Sequence, residues 1–230
     1  MIEGFRQQQG SGHMRRASCS GFGTASLRGA LALAPILYSL FWAGPAAAHH
    51  AMGGTTPTTF FEGLLSGLGH PVIGPDHLAF VIAIGIAAAL VPAGLSLIAL
   101  FVAASTAGVL IHAAALDLPL VEPLVSTSVI IAGLLIAAGR GANQPPWLAL
   151  AAIAGLLHGY AFGEAVIGAE RGVIGAYLIG LACIMSAIAA AAMLVSGRVL
   201  RRSDASAAGL RGGGVALAAT GAVMLAATFA

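Results

Sequence analysis

The 230-residue sequence contains no lysine, and charged residues of any kind make up only 8% of it. A soluble domain carries about 25%. This scarcity excludes an ordinary soluble fold, and no basic patch is present to hold nucleic acid. There are two cysteines, Cys19 and Cys183. Cys19 precedes the first apolar run and Cys183 lies inside a later one, so no disulfide framework is expected. Neither an ATP-binding motif nor an HExxH zinc motif occurs. What remains is hydrophobic: 59% of the residues are apolar. The composition is that of an integral membrane protein.

Along the chain, residues 1–13 read as an extension upstream of a natural start at Met14. Arg15, Arg16 and Arg28 precede an apolar run from Ala30 to Ala43, and Ala46-Ala47-Ala48 supplies small residues for a signal peptidase. The run is short for a spanning helix, which needs ~20 residues. Residues 1–48 therefore read as a cleavable signal peptide with an N-terminal extension. Cleavage after Ala48 makes His49-His50 the mature amino terminus, and residues 49–58 become a periplasmic, metal-capturing segment. Residues 59–230 form the transmembrane domain.

Six hydrophobic segments follow, at about 59–91, 94–115, 120–139, 147–166, 173–196 and 212–229. Each is close to the ~20 residues that cross a bilayer. The expected fold is all-α, a bundle of about six transmembrane helices. The first is broken at His70-Pro75, because Pro71 and Pro75 remove backbone donors and disfavour a regular helix through Val72 to Gly74. With the mature amino terminus outside, Arg140, Arg198, Arg201, Arg202 and Arg211 fall in inner loops and only Arg171 in an outer one. The positive-inside rule then puts the carboxyl terminus outside as well. The location expected is the inner membrane of a bacterium. In the fourth segment Gly155, Gly159 and Gly163 recur every four residues, a stripe along which another helix can approach closely.

Ionisable side chains are costly inside a membrane and need a partner or a purpose. His70, Asp76 and His77 sit at the break. His158 and Glu164 lie in the fourth segment, His112 near the end of the second and Glu122 at the start of the third. Together with His49 and His50 they form a candidate path of metal ligands. Imidazole suits nickel, cobalt, copper and zinc, and carboxylates balance charge or orient the histidines. Plainer roles stand beside these. His112, or His158 with Glu164, could hydrogen-bond a neighbouring helix; Glu62 could be solvated and Asp117 a turn residue; the break could hold a purely structural polar network.

Gly69-His70-Pro71-Val72-Ile73-Gly74-Pro75-Asp76-His77-Leu78 resembles the HPxxGxDHL motif of the HupE/UreJ family of membrane proteins. Leu157-His158-Gly159-Tyr160-Ala161-Phe162-Gly163-Glu164 resembles that family's HGxAxGxE motif. Val121-Glu122-Pro123, followed by Ser126 and Ser128, resembles its glutamate-bearing third segment. The likeness extends over about residues 49–230, with Pro75 where a leucine is more usual. It implies a small helical membrane protein associated with hydrogenase or urease gene clusters and with uptake of nickel, or sometimes cobalt. The expected function is a permease, not an enzyme, that carries a divalent transition metal as its substrate, nickel first, with cobalt, copper and zinc open. Its partners are the lipid bilayer, the metal ion and metalloenzyme-maturation proteins. An intramembrane zinc-dependent hydrolase and a non-transporting metal-binding accessory protein are the alternatives.

Overall fold

The computed structural model describes residues 55–139, 143–201 and 204–229. Among them are seven α-helices, one 3-10 turn and no strand. The helices are α1 (Phe60–Ile73), α2 (Pro75–Leu90), α3 (Gly94–Ala113), α4 (Val121–Ala137), α5 (Gln144–Gly163), α6 (Arg171–Leu200) and α7 (Asp204–Ala227), with the 3-10 turn at Glu164–Val166. Four helical stretches are long and apolar enough to cross a membrane: α3, α5 with the 3-10 turn, α6, and Ala208–Ala227 of α7. The bent pair α1 and α2 makes a fifth if it counts as one span. The 120–139 segment forms α4, which at 17 residues is shorter than these four stretches and falls below the ~20 residues of a full crossing. The signal peptide at 1–48 and the histidines 49 and 50 lie outside the described residues.

Helix α1 starts at a capping box. The Thr59 hydroxyl accepts from the Glu62 amide, and the Glu62 carboxylate accepts from the amides of Thr58 (2.8 Å) and Thr59 (3.1 Å). Glu62 thus satisfies amides that every helix start leaves open. The break differs from the expectation of an irregular stretch through Val72 to Gly74: α1 runs on through Pro71 to Ile73, and only Gly74 leaves the helical conformation, at φ −79° and ψ 111°. Pro71 removes one backbone donor, and the turn beyond it still closes through the Gly74 amide to the His70 carbonyl at 3.2 Å. Pro75 opens α2 at its first position, where its missing N–H is not needed, and it biases Gly74 away from the helical region. One residue therefore carries the whole 81° bend between α1 and α2.

Helix α2 lies at the centre and touches each of the other six helices. Its buried residues, among them Phe80, Val81, Ala83, Ile84 and Ala87, fall on all sides, as expected of a helix surrounded by protein. The most extensive packing joins α3 to α5, α4 to α7 and α1 to α6. The glycine stripe of α5 faces α3. A Cβ on Gly159 would run into the Ser105 carbonyl, and one on Gly108 of α3 would meet the Tyr160 amide at 2.6 Å. The two backbones approach in a way only glycine permits.

Candidate metal centre

The break places His70 in the last turn of α1 and His77 in the first turn of α2. Both are buried, at 3% and 6% exposure. Their ring centroids lie 6.1 Å apart with planes at 74°. On one straight helix these residues would stack two turns apart along a face; the bend folds them towards each other instead. His158, from the C-terminal half of α5, joins them with no exposed surface. Its Nδ1 is 2.9 Å from the Nδ1 of His77, and the two ring centroids are 5.0 Å apart.

Aromatic side chains wall this group. Phe80 stacks on His158 at 4.4 Å, while Phe162 lies 4.3 Å from His77 and 5.2 Å from His70. Two hydroxyls complete the inner contacts. The Ser128 Oγ of α4 is 2.9 Å from the His158 Nε2 and donates to the Val125 carbonyl at 2.6 Å. The Tyr177 Oη of α6 is 2.9 Å from the His70 Nδ1 and donates to the Phe162 carbonyl at 2.7 Å. Five helices thus meet at three imidazoles. Tyr177 carries no mark in the sequence. A tyrosine within a membrane segment, whose hydroxyl must find a partner, is the signal that could have found it.

Of the other sequence candidates, Asp76 adjoins this trio, and His112, Glu122 and Glu164 lie apart from it. Asp76 is half-buried beside it, and its carboxylate accepts from the His77 amide at 2.8 Å. His112 stacks on Tyr160 at 3.9 Å, and its Nδ1 donates to the Tyr160 carbonyl at 2.6 Å. Tyr160 in turn holds the loop after α3: its hydroxyl donates to the Leu116 carbonyl at 2.7 Å and accepts from the Leu118 amide at 2.9 Å. Glu122, in the first turn of α4, and Glu164, at the 3-10 turn, are exposed. Among the described residues no group of three or more histidine, cysteine or carboxylate side chains is placed to hold one ion. The spacing of His70 and His77 can be compared with that of two imidazoles on one ion. With a nitrogen–metal bond of ~2.0–2.1 Å, an ion would sit ~3.2 Å from each ring centre, so two imidazoles on one ion have centroids up to ~6.4 Å apart. The observed 6.1 Å falls within that reach.

Comparison with curated proteins and with solved structures finds no match. The sequence profile described as HupE / UreJ protein matches residues 37–224. That stretch takes in both motifs, the central helix and all three buried imidazoles, and it covers well over half of the sequence. The chain belongs to the HupE/UreJ family.

Proposed function

We propose that this protein is a permease that imports a divalent transition metal, nickel first, across the inner membrane of a bacterium. The observation that carries the reading is the buried pair His70 and His77, brought within 6.1 Å across the bend. Two imidazoles inside an apolar bundle are costly unless they serve a ligand or a partner, and imidazole is a good ligand for this class of metal. Asp76 supplies negative charge next to the pair. On this reading His49 and His50 capture the ion at the outer face. It then passes His112, Glu122, Glu164 and His158 on its way to His70, Asp76 and His77. The metal is cargo, and a transit site must let it go. Two imidazoles hold an ion less tightly than a closed set of four ligands, which suits release. No ATP-binding motif is present in the sequence, so a gradient or a partner supplies the energy. Family membership supports the metal and membrane parts of the reading.

The test is elemental analysis of the purified protein, followed by uptake of the metal found into proteoliposomes. Nickel in the protein and protein-dependent nickel accumulation are expected. Hydrolysis of a lipid or peptide substrate without accumulation would replace transport with the enzyme reading.

A further inference from the structure

The helices pair in a pattern that divides the chain into two halves. The first half holds the bent span α1–α2, then α3 and α4; the second holds α5, α6 and α7. The main pairings, α1 with α6, α3 with α5 and α4 with α7, each join one half to the other. The first span of each half packs on the second span of the other, and the two third spans pack together. A Cβ on Gly63 would meet the Val173 carbonyl at 2.6 Å, and one on Gly67 the Tyr177 carbonyl. In the other pair, a Cβ on Gly155 would meet the Phe101 carbonyl at 3.0 Å, one on Gly159 the Ser105 carbonyl, and one on Gly163 the Val109 carbonyl at 3.2 Å. In both pairs the residue numbers rise together, so the helices run parallel. Helices α4 and α7 run antiparallel and meet reciprocally. A Cβ on Gly133 would lie 2.6 Å from the Gly214 carbonyl, and one on Gly214 would lie 2.6 Å from the Gly133 carbonyl. These are the relations of a two-fold axis that passes between α4 and α7 and exchanges α1 with α5 and α3 with α6. An axis that maps α4 onto an antiparallel α7 runs across the helices, in the plane of the membrane.

The centre of the bundle obeys the same operation. Gly67-Leu68-Gly69-His70 recurs as Gly155-Leu156-Leu157-His158, and an acid stands six residues beyond each histidine, Asp76 and Glu164. Tyr177 and Phe101, whose carbonyls Gly67 and Gly155 approach, face the two histidines alike. The Tyr177 ring lies 6.2 Å from that of His70 at 74°, and the Phe101 ring 6.5 Å from that of His158 at 76°. The halves differ at the bend. The first span turns by 81° at Gly74, whereas α5 runs on to Gly163 before it tightens into the 3-10 turn. We propose that residues 60–137 and 144–227 are inverted repeats related by this axis, and that the protein moves its metal by alternating access, the pair α1–α6 rocking as a unit against the pair α3–α5 around the buried histidines. Inverted repeats of this kind build secondary carriers, in which one bundle rocks against the other around a site at the repeat interface. Backbones in glycine-close contact leave no slack within a pair, so the motion falls between pairs. The proposal deepens the permease reading above and rests on it.

The test uses the full chain in lipid nanodiscs, with Cys19→Ser and Cys183→Ser as background, and fluorescence energy transfer between dyes on two introduced cysteines. Leu116→Cys with Gly172→Cys reports the outer distance between the two rocking pairs, and Leu95→Cys with Arg201→Cys the inner one. Leu95→Cys with Ile167→Cys spans the α3–α5 pair alone. All five positions are exposed. Nickel chloride is then added, and its binding is followed by calorimetry. The outer and inner distances are expected to shift in opposite directions, while the distance within the α3–α5 pair stays fixed. Nickel binding with both distances unchanged, or with both moving in the same direction, overturns the proposal and leaves the metal reading standing. A shift within the α3–α5 pair as large as the others also overturns it. Protein that binds no nickel overturns the metal reading, and the proposal falls with it.

Discussion

At the scale of the residue, the buried imidazoles differ from the candidates around them in how their second nitrogen is used. His77 and His158 face each other across 2.9 Å, whereas His112 is tied to Tyr160 and through it to a loop. Tyr160→Phe should therefore leave the trio intact and loosen the loop. Losing a hydroxyl that bridges the Leu116 carbonyl and the Leu118 amide should cost about 1–3 kcal/mol locally. Faster hydrogen exchange at Leu118 would show it; unchanged exchange would mean the clamp has no hold on the loop. Glu164, exposed at the 3-10 turn, should matter to uptake through its charge alone. Glu164→Gln is expected to slow nickel uptake less than loss of His70 or His77 does, because the amide keeps the shape. Equal losses would place Glu164 in the central site. The histidines were legible in the sequence, since an ionisable group in an apolar run is conspicuous. Tyr177 was not, and Ser128 showed only as part of a motif. A hydroxyl in a helix has many ordinary uses, and only the approach of α4 to α5 and of α6 to α1 makes these two partners of histidines.

At the scale of the element, the break does its work through one residue. Gly74 has a backbone conformation open to any residue, so its role is steric: a Cβ there would meet the His77 ring at 2.6 Å and the Asp76 carboxylate at 3.3 Å. Gly74→Ala should leave the protein folded and in the membrane but displace the His77 ring and lower nickel uptake. Full uptake by this variant would show that the His77 position is not critical. The glycine stripe acts between α3 and α5, and Gly159→Ala should force those helices apart at a cost of about 1–3 kcal/mol. Its thermal midpoint in detergent should fall, whereas Gly172→Ala, with nothing within 4 Å of the added carbon, should not change. The existence of a break could be read from Pro71 and Pro75, but its extent could not. A proline inside a helix removes one donor, and whether the next turn survives depends on the neighbours packed around it. The stripe was legible too; the helix it meets was not, because a face of glycines states closeness without naming the partner.

At the scale of the whole molecule, α2 touches every other helix and carries His77 near its start, so any shift of the bundle is felt at the imidazole pair. A buried centre of this kind suits a carrier. The segment count in the sequence anticipated the order of the helices, while the 17 residues of α4 show why hydropathy alone did not settle how many cross a bilayer. Arginine placement predicts that a reporter fused after Ala230 is active outside the cytoplasm, and a reporter active only inside would reverse the topology. The account's central claim is that His70 and His77 hold the metal in transit. Its most direct test is radioactive nickel uptake by cells that carry wild-type protein or His77→Ala at matched membrane levels. Uptake abolished in His77→Ala, with the protein at normal abundance, is the result predicted; uptake equal to wild type would contradict it.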